Sequence, residues 1–279
     1  MHKEILYQNK KIFYRIAGSG KPVILIHGFG EDGEVWSSLL TSSKGGGISD
    51  TQLKDKFRFI IPDLPGSGES ERIEDMSMEG MAEVIHAIIH EENIGSCPVI
   101  GHSMGGYITL ALVEKYWNHV SAFGLFHSSA YADTEEKKAA RRKGIEFIKQ
   151  HGAYEFLKTA TPNLFSPNSQ LQIPNSIEEI IEKGRNFSPP ALVSYYEAMM
   201  ARPDTTEMLR KAAVPVLFIM GKYDNAVPIK DGLEQCHLPP ISYIHILENS
   251  GHMGMIEESE KSSLALLQYV KDLQLNPVL

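Results

Sequence analysis

The chain has 279 residues, and its 42% hydrophobic and 22% charged residues are typical of a protein that buries a full core. Its formal net charge of −8 argues against a nucleic-acid partner, because phosphate binding requires a basic surface. No apolar run reaches the length of a membrane span, so no membrane partner is expected. The two cysteines, Cys97 and Cys236, do not make a disulfide framework, and we expect free thiols in a reducing, cytoplasmic location.

Short apolar runs alternate with helix-like segments, a pattern that predicts an α/β architecture. The first two predicted strands, Ile5–Gln8 and Ile12–Ile16, are close enough to form an antiparallel hairpin. The later strands are nearly continuous apolar runs, as in a parallel sheet covered on both faces. They are Val23–His27, Phe57–Ile61, Val99–Gly101, Phe123–Phe126, Val216–Met220 and Tyr243–Leu247. The helices predicted around them are Met78–His90, Met104–Trp117 and Glu257–Leu273. We therefore predict an eight-stranded, mostly parallel sheet flanked by helices.

The alternation breaks between Tyr131 and Ala213, where the pattern is helical and no convincing strand is present. The helices predicted there are Thr134–His151, Ala153–Thr159, Ser176–Gly184 and Pro190–Ala201. The chain then returns to a strand at VPVLFIMG. This predicts a helical cap over residues 131–212, inserted into a core formed by residues 1–130 and 213–279. A Gly- and Ser-rich stretch at residues 41–51 predicts a surface loop.

The sequence Gly101-His102-Ser103-Met104-Gly105 lies between a predicted strand and a predicted helix. In the pattern G-x-S-x-G, the chain turns sharply and the serine adopts a strained conformation that exposes its hydroxyl. The flanking glycines are expected because side chains there would collide with neighbouring elements. Ser103 is therefore the candidate nucleophile, and we expect His102 to pack beneath the turn.

A serine hydroxyl requires a base to take its proton and a third group to orient that base. Asp224 comes just past the end of a predicted strand and is the candidate acid, and His252 follows the last predicted strand and is the candidate base. Active sites of open α/β sheets form at the carboxyl ends of strands, where all three residues fall. Considered alone, Asp224 also fits a turn residue, and His252 also fits a loop histidine without a catalytic role. Together, in the order serine, acid, histidine, they predict a catalytic triad.

An oxyanion hole needs backbone N–H donors, and the candidates are Met104, which follows the nucleophile, and Phe29, in HGFG after a predicted strand. We expect Glu31 and Asp32, beside that loop, to be solvated.

The candidate pocket residues are His127, Tyr195 and Met199, and the apolar side chains of the cap favour a largely apolar, uncharged substrate. The histidines and acids show no metal-ligand spacing such as HExxH, so neither a metal nor another cofactor is predicted.

The chain resembles the α/β-hydrolase superfamily in five motifs, HGFG, DLPGSGES, GHSMGG, GKYDNAVP and SGHMGMIEE, which lie within Ile5–Phe126 and Val214–Leu273. The segment EAMMARPDTTEMLRKAAVPVLFIMG is further similar to small bacterial carboxylesterases and enol-lactonases. The resemblance implies a serine hydrolase that cleaves a carboxylic ester, lactone or thioester of a small molecule through an acyl-enzyme.

Other functions stay open at this point. A ligand-binding signalling protein with slow turnover would keep the triad, but such receptors tend to replace the second glycine of GHSMGG, and Gly106 is intact. Cofactor-free haloperoxidases and C–C hydrolases usually carry a tryptophan where this chain has Met104 or Met253. An acyl-carrier-protein methyl esterase would need a basic surface, for which ARRKG (140–144) is the candidate. The sequence indicates neither the natural substrate nor the oligomeric state.

Overall fold

The structure is a computed structural model that describes residues 1–41 and 55–275, apart from the side chains of Thr41 and Leu275. Within these residues, eight strands form one sheet in the order β1-β2-β4-β3-β5-β6-β7-β8. The strands are β1 (His2–Tyr7), β2 (Lys10–Gly18), β3 (Lys21–Ile26), β4 (Phe57–Pro62), β5 (Cys97–His102), β6 (Val120–Phe126), β7 (Val216–Gly221) and β8 (Ser242–Leu247). β2 pairs antiparallel with β1 and β4, and the other pairs are parallel. The prediction of an eight-stranded, mostly parallel sheet is confirmed.

The predicted helices agree with the observed ones to within a few residues, but several short helices were not predicted. In chain order they are α1 (Ser37–Thr41), α2 (Met78–Glu91), α3 (Met104–Tyr116), α4 (Glu135–His151), α5 (Ala153–Ala160), α6 (Pro167–Gln172), α7 (Pro174–Lys183), α8 (Pro189–Ala201), α9 (Thr206–Arg210), α10 (Ile229–Gln235), α11 (Gly254–Glu257) and α12 (Ser259–Leu275). The last predicted helix is split, because Glu258 leaves the helical conformation with φ −132° and ψ 56°. The short helix α6, which begins with a proline at its first position, was not predicted.

The sheet has a hydrophobic core on each face. Along β3, Ile24 and Ile26 pack into one core, whereas Val23 and Leu25 pack into the other, because successive side chains of a strand point to opposite faces. Helices α2 and α3 contribute to the first core and α12 to the second. Both faces of the central strands are therefore covered, which explains why their sequences read as continuous apolar runs.

The segment between β6 and β7 is fully described and contains helices α4 to α9 but no strand. Within it, α4 packs against α5 and α8. The division of the chain into a core (1–130 and 213–279) and a cap (131–212) stays a prediction. The predicted loop at residues 41–51, apart from Thr41, lies outside the described residues. Among the described helices, none combines the length and the apolar character that crossing a bilayer requires.

Substitution of Phe218 tests the contribution of the central sheet to stability. Phe218 lies in β7 and is only 1% exposed, so Phe218→Ala should lower the free energy of unfolding by about 3–5 kcal/mol through lost burial and a residual cavity. The measurement is urea denaturation at equilibrium. The control is Leu171→Ala, at a position that is 83% exposed, which should change the free energy by less than about 0.5 kcal/mol. Equal effects of the two variants would contradict the described core.

Candidate active site

Ser103 occupies the sharp bend between β5 and α3. Its φ of 51° and ψ of −116° lie in a region that residues other than glycine rarely adopt. The bend is held by hydrogen bonds: the Ser103 N–H donates to the Phe126 carbonyl at 2.9 Å, and Ser128 Oγ donates to the Ser103 carbonyl at 2.7 Å. The strained conformation predicted for the serine is therefore present, stabilised by the neighbouring strand β6.

The glycines around Ser103 are required by close packing of the backbone. A Cβ atom at Gly101 would lie 2.1 Å from the Gly105 carbonyl oxygen, and one at Gly105 would lie 2.4 Å from the Ile26 carbonyl oxygen. Such separations are far below van der Waals contact, so any side chain would force the bend open. The third glycine, Gly106, is packed as tightly, since its Cβ would lie 2.2 Å from Ser128 Oγ.

Asp224 and His252 meet in a buried hydrogen bond. The Nδ1 group of His252 donates to Asp224 Oδ2 at 2.8 Å, across the ends of β7 and β8. The other carboxylate oxygen, Oδ1, accepts from the N–H groups of Ala226 and Val227 at 2.9 and 2.8 Å. The carboxylate is thus fixed on both sides, and it orients the imidazole with Nε2 on the side away from Asp224.

The charges of this pair shift both pKa values. Burial alone would raise the pKa of the Asp224 carboxyl, but the His252 and His127 rings lower it well below its ordinary value. Burial alone would lower the pKa of His252, but the charge of Asp224 and its hydrogen bond outweigh that effect and raise the pKa above 6.5. Asp224 is therefore ionised at neutral pH and stabilises a proton on His252.

His127 is a second histidine on the same carboxylate. Its Nδ1 group lies 3.1 Å from Asp224 Oδ2, and its Nε2 accepts a hydrogen bond from the Gly254 N–H at 3.3 Å. Because Nε2 accepts, Nδ1 carries the proton and donates it to Asp224. Burial lowers the pKa of His127, which favours the same neutral form. His127 was predicted to line the pocket, whereas the structure places it behind Asp224.

The three residues His127, Asp224 and His252 bring their ligand atoms within 4.8 Å of one another, close enough to hold a metal ion. The hydrogen bonds assign a different role to these atoms, because both Nδ1 groups donate to Asp224 and His127 Nε2 is occupied by Gly254. The arrangement is that of an oriented base rather than of a ligand set.

Beneath the serine, Glu31 and His102 form a buried hydrogen-bonded pair. His102 is fully buried, as expected; its Nδ1 lies 3.0 Å from Glu31 Oε2 and its Nε2 lies 2.9 Å from the His252 carbonyl oxygen. Glu31 Oε2 also accepts from the Gly28 N–H at 2.7 Å. Burial alone would raise the pKa of Glu31, but the His102 ring and the Gly28 N–H lower it. The prediction that Glu31 is solvated is wrong: this carboxylate joins its own loop to the end of β5, and His102 extends the link to the loop of His252.

The loop that carries His252 is held by the segment between α5 and α6. The His252 N–H donates to the Leu164 carbonyl at 2.6 Å. Glu257 accepts from the N–H groups of Gly251 and Met253 with one oxygen, at 2.9 and 3.0 Å, and from the Ser166 N–H with the other, at 2.8 Å. The position of the histidine therefore depends on the region inserted between β6 and β7.

Ser103 and His252 line one cavity of about 140 Å³. The other lining residues are Phe29, Glu31, Tyr107, Arg141, Leu164, Tyr196, Met199, Ala226 and Val227. Of the predicted pocket residues, Met199 lies in this lining. Tyr195 is instead fully buried, with its hydroxyl bonded to Ser67 Oγ and the Pro65 carbonyl, and its neighbour Tyr196 lines the cavity.

The two candidate oxyanion donors lie on opposite sides of Ser103 in the sequence and close to it in the fold. Met104 is the first residue of α3, where N–H groups lack intrahelical acceptors. Phe29 lines the cavity in the loop after β3, and its ring stacks on Tyr196 with centroids 4.3 Å apart.

Arg141 is a cavity residue that the sequence analysis assigned only to a possible basic surface. Its side chain is 19% exposed, whereas that of its neighbour Arg142 is 60% exposed. The sequence contained a signal that Arg141 lies on the buried face of its helix. It precedes the buried residues Gly144, Ile145 and Ile148 by three, four and seven positions, which is the spacing of one helix face. The arginine lies on the buried edge of α4.

The chain matches a family model over part of its length and individual relatives over nearly all of it. A family model described as the α/β-hydrolase fold matches residues 21–140. A pimeloyl-(acyl-carrier protein) methyl ester esterase of Vibrio cholerae is 23% identical over 264 residues, which are 92% of this chain and 97% of that protein. A 3-oxoadipate enol-lactonase of Acinetobacter baylyi is 23% identical over 270 residues, 96% of each chain.

Among solved structures, a thermophilic esterase from Thermogutta terrifontis, solved with malate bound, matches with a TM-score of 0.88 and 26% sequence identity. The match covers 98% of this chain and 99% of that one. Together, the family model and this neighbour confirm the predicted fold class.

The buried pair of Glu31 and His102 can be tested by removal of its carboxylate. Glu31→Ala should lower the free energy of unfolding by about 1–3 kcal/mol, because it leaves the buried His102 Nδ1 and the Gly28 N–H without an acceptor. Urea denaturation measures this difference. The control is Glu69→Ala at an exposed position, for which a change below about 0.5 kcal/mol is expected. If both variants were equally stable, Glu31 would not have the linking role described.

Proposed function

We propose that this chain, which has the α/β-hydrolase fold, is a hydrolase that cleaves a carboxylic ester, lactone or thioester with Ser103 as nucleophile. One observation carries the proposal: Ser103, held at a strained bend, shares a cavity with His252, and the ring of His252 is oriented by Asp224. A hydroxyl exposed next to an oriented base is the arrangement that acyl transfer requires.

In the proposed reaction, His252 Nε2 takes the proton of Ser103 as the hydroxyl attacks the substrate carbonyl. The ionised Asp224 stabilises the resulting imidazolium, which then gives its proton to the leaving group. An acyl-enzyme forms on Ser103, and water attacks it with His252 again acting as base. The scheme needs no cofactor.

The negative charge that develops on the carbonyl oxygen is proposed to be stabilised by the N–H groups of Phe29 and Met104. The helix α3 adds to this, since its N-terminal end carries a partial positive charge. Donors that are fixed before the reaction are worth about 3–4 kcal/mol each in similar sites. The Glu31 hydrogen bond to Gly28 holds the loop next to Phe29 in position for this role.

The substrate is proposed to be small and to have an apolar body. Support comes from the cavity volume of about 140 Å³ and from lining residues such as Phe29, Leu164, Met199 and Val227. The relatives are named for a methyl ester and an enol-lactone, both of which contain a carboxylic ester bond. We propose that residues 131–212 act as a cap that shapes this cavity over a core of residues 1–130 and 213–279.

Replacement of the nucleophile should abolish turnover. Ser103→Ala should reduce kcat on p-nitrophenyl acetate to the background rate and prevent labelling by a fluorophosphonate probe, because the attacking oxygen is absent. Asp224→Asn should lower kcat by up to about 10⁴-fold, because the imidazole loses its charged partner.

The control for this experiment is Ser96→Ala, at an exposed position, which should retain both activity and labelling. Near-normal turnover by the Ser103→Ala protein would reject the mechanism. Rapid acylation followed by a stall in single-turnover kinetics would instead identify a slow, signalling-type protein.

The raised pKa of His252 predicts a pH dependence. His252 must be neutral to accept the proton, so the rate of fluorophosphonate labelling should fall as pH drops through a value above 6.5. In Asp224→Asn the stabilising charge is absent, and the midpoint should move to lower pH because burial then dominates. The control Asp55→Asn, at an exposed position, should leave the midpoint unchanged. A labelling rate that does not fall as the pH is lowered would contradict the assignment of His252 as base.

A further inference from the structure

The region between β6 and β7 contributes a positive charge to the cavity wall. The neighbouring carboxylate neutralises this charge only in part. Arg141 lines the cavity, and its Nε and Nη2 groups donate to the two oxygens of Asp133. The same carboxylate also accepts from Arg202 Nη1 at 2.9 Å. Two guanidinium groups thus share one carboxylate, which leaves an excess of one positive charge in this cluster.

The cluster is largely removed from water. The side chains of Asp133 and Arg202 are 0% and 6% exposed, and that of Arg141 is 19% exposed. The guanidinium groups also lie over aromatic rings, Arg141 at 5.3 Å from the Tyr196 centroid and Arg202 at 3.7 Å from that of Tyr107. Rings compensate a buried cation only partly. A partly desolvated excess charge favours an anionic partner, and Arg141 is the member of the pair that lines the cavity.

No other acidic side chain of the cavity lining serves as that partner. Glu31 is the acidic residue among the lining residues, and its carboxylate is already engaged by His102 and the Gly28 N–H. Of the guanidinium nitrogens of Arg141, Nη1 makes no contact with Asp133. An arginine with its other nitrogens anchored by a carboxylate presents a pre-oriented donor, which suits recognition of a second carboxylate.

We propose that Arg141 binds a free carboxylate of the substrate, so that the preferred substrates are esters or lactones that carry a second, unesterified carboxyl group. This proposal replaces the uncharged substrate expected from the sequence, because Arg141 lines the cavity. The inference rests on the proposed function, since it assumes that Ser103 attacks in the same cavity. The apolar lining then contacts the short chain between the reacting carbonyl and the carboxylate. A cavity of about 140 Å³ limits that chain to a few carbon atoms.

The first test compares esters that differ only in charge. The first pair places the carboxylate on the acyl side: anionic p-nitrophenyl hydrogen adipate is compared with neutral p-nitrophenyl hexanoate. The second pair places it on the alcohol side: sodium 4-acetoxybutanoate is compared with neutral butyl acetate. For at least one pair, wild-type kcat/KM should be higher for the anionic ester by about tenfold or more, as expected for a charge-assisted hydrogen bond. Preference for the neutral ester in both pairs would overturn the proposal.

The second test assigns the preference to a residue. Arg141→Gln should lower the ratio of anionic to neutral kcat/KM by about 10- to 100-fold. Arg141→Lys keeps the positive charge but lacks the planar guanidinium, so it should lower this ratio less. If the Arg141→Gln protein does not fold, Arg141→Lys is compared with the wild type in its place. The matched control is Arg142→Gln, the next residue of the same helix, which should keep the wild-type ratio. An unchanged ratio in the Arg141 variants would also overturn the proposal.

Binding without turnover separates this inference from the proposed mechanism. In the Ser103→Ala protein, adipate should raise the Tm, whereas neutral dimethyl adipate should not, and Arg141→Gln in the same background should remove the effect. If wild-type protein hydrolyses none of the esters but Ser103→Ala binds adipate through Arg141, the nucleophile assignment fails and the carboxylate site stands. If neutral esters are hydrolysed and adipate does not bind, the nucleophile assignment stands and the carboxylate site is rejected.

Discussion

The hydrogen bond between Asp224 and His252 is the interaction on which the rest of the site depends. It joins the loops that follow β7 and β8, and it can form because these strands are parallel neighbours whose carboxyl ends meet at one edge of the sheet. The carboxylate has no freedom to turn, since its oxygens also accept from Ala226, Val227 and His127. A fixed carboxylate gives a fixed imidazole, and a base can act on the Ser103 hydroxyl only if its ring holds one orientation.

The inserted helical region is a structural part of this site as well as its cover. It supplies the backbone carbonyl that holds His252, the aromatic ring of Tyr196 that stacks on Phe29, and the cation of Arg141. Arg141, Tyr196 and Phe29 form a continuous contact from the charged end of the cavity to the loop that carries a proposed oxyanion donor. The proposed carboxylate site and the proposed oxyanion donor are thus connected through a stack of side chains.

The sheet, the strained bend at Ser103 and the convergence of Asp224 with His252 were predictable because they depend on local patterns and on the order of strands. The roles of Glu31 and Arg141 were not predicted. Glu31 lies 71 residues from His102, and nothing near it in the sequence indicates a buried partner. Arg141 has the spacing of a buried helix face, but an arginine there is more often a surface residue. Tyr195 and Tyr196 are adjacent, and only the rotation of α8 decides which of them reaches the cavity.

The contact between residues 164–166 and the loop of His252 couples the inserted region to the candidate base. Lifting this segment would break the bond from the His252 N–H to the Leu164 carbonyl and the bond from the Ser166 N–H to Glu257. A displacement of this part of the insertion would therefore also displace His252, so the two segments are mechanically one unit.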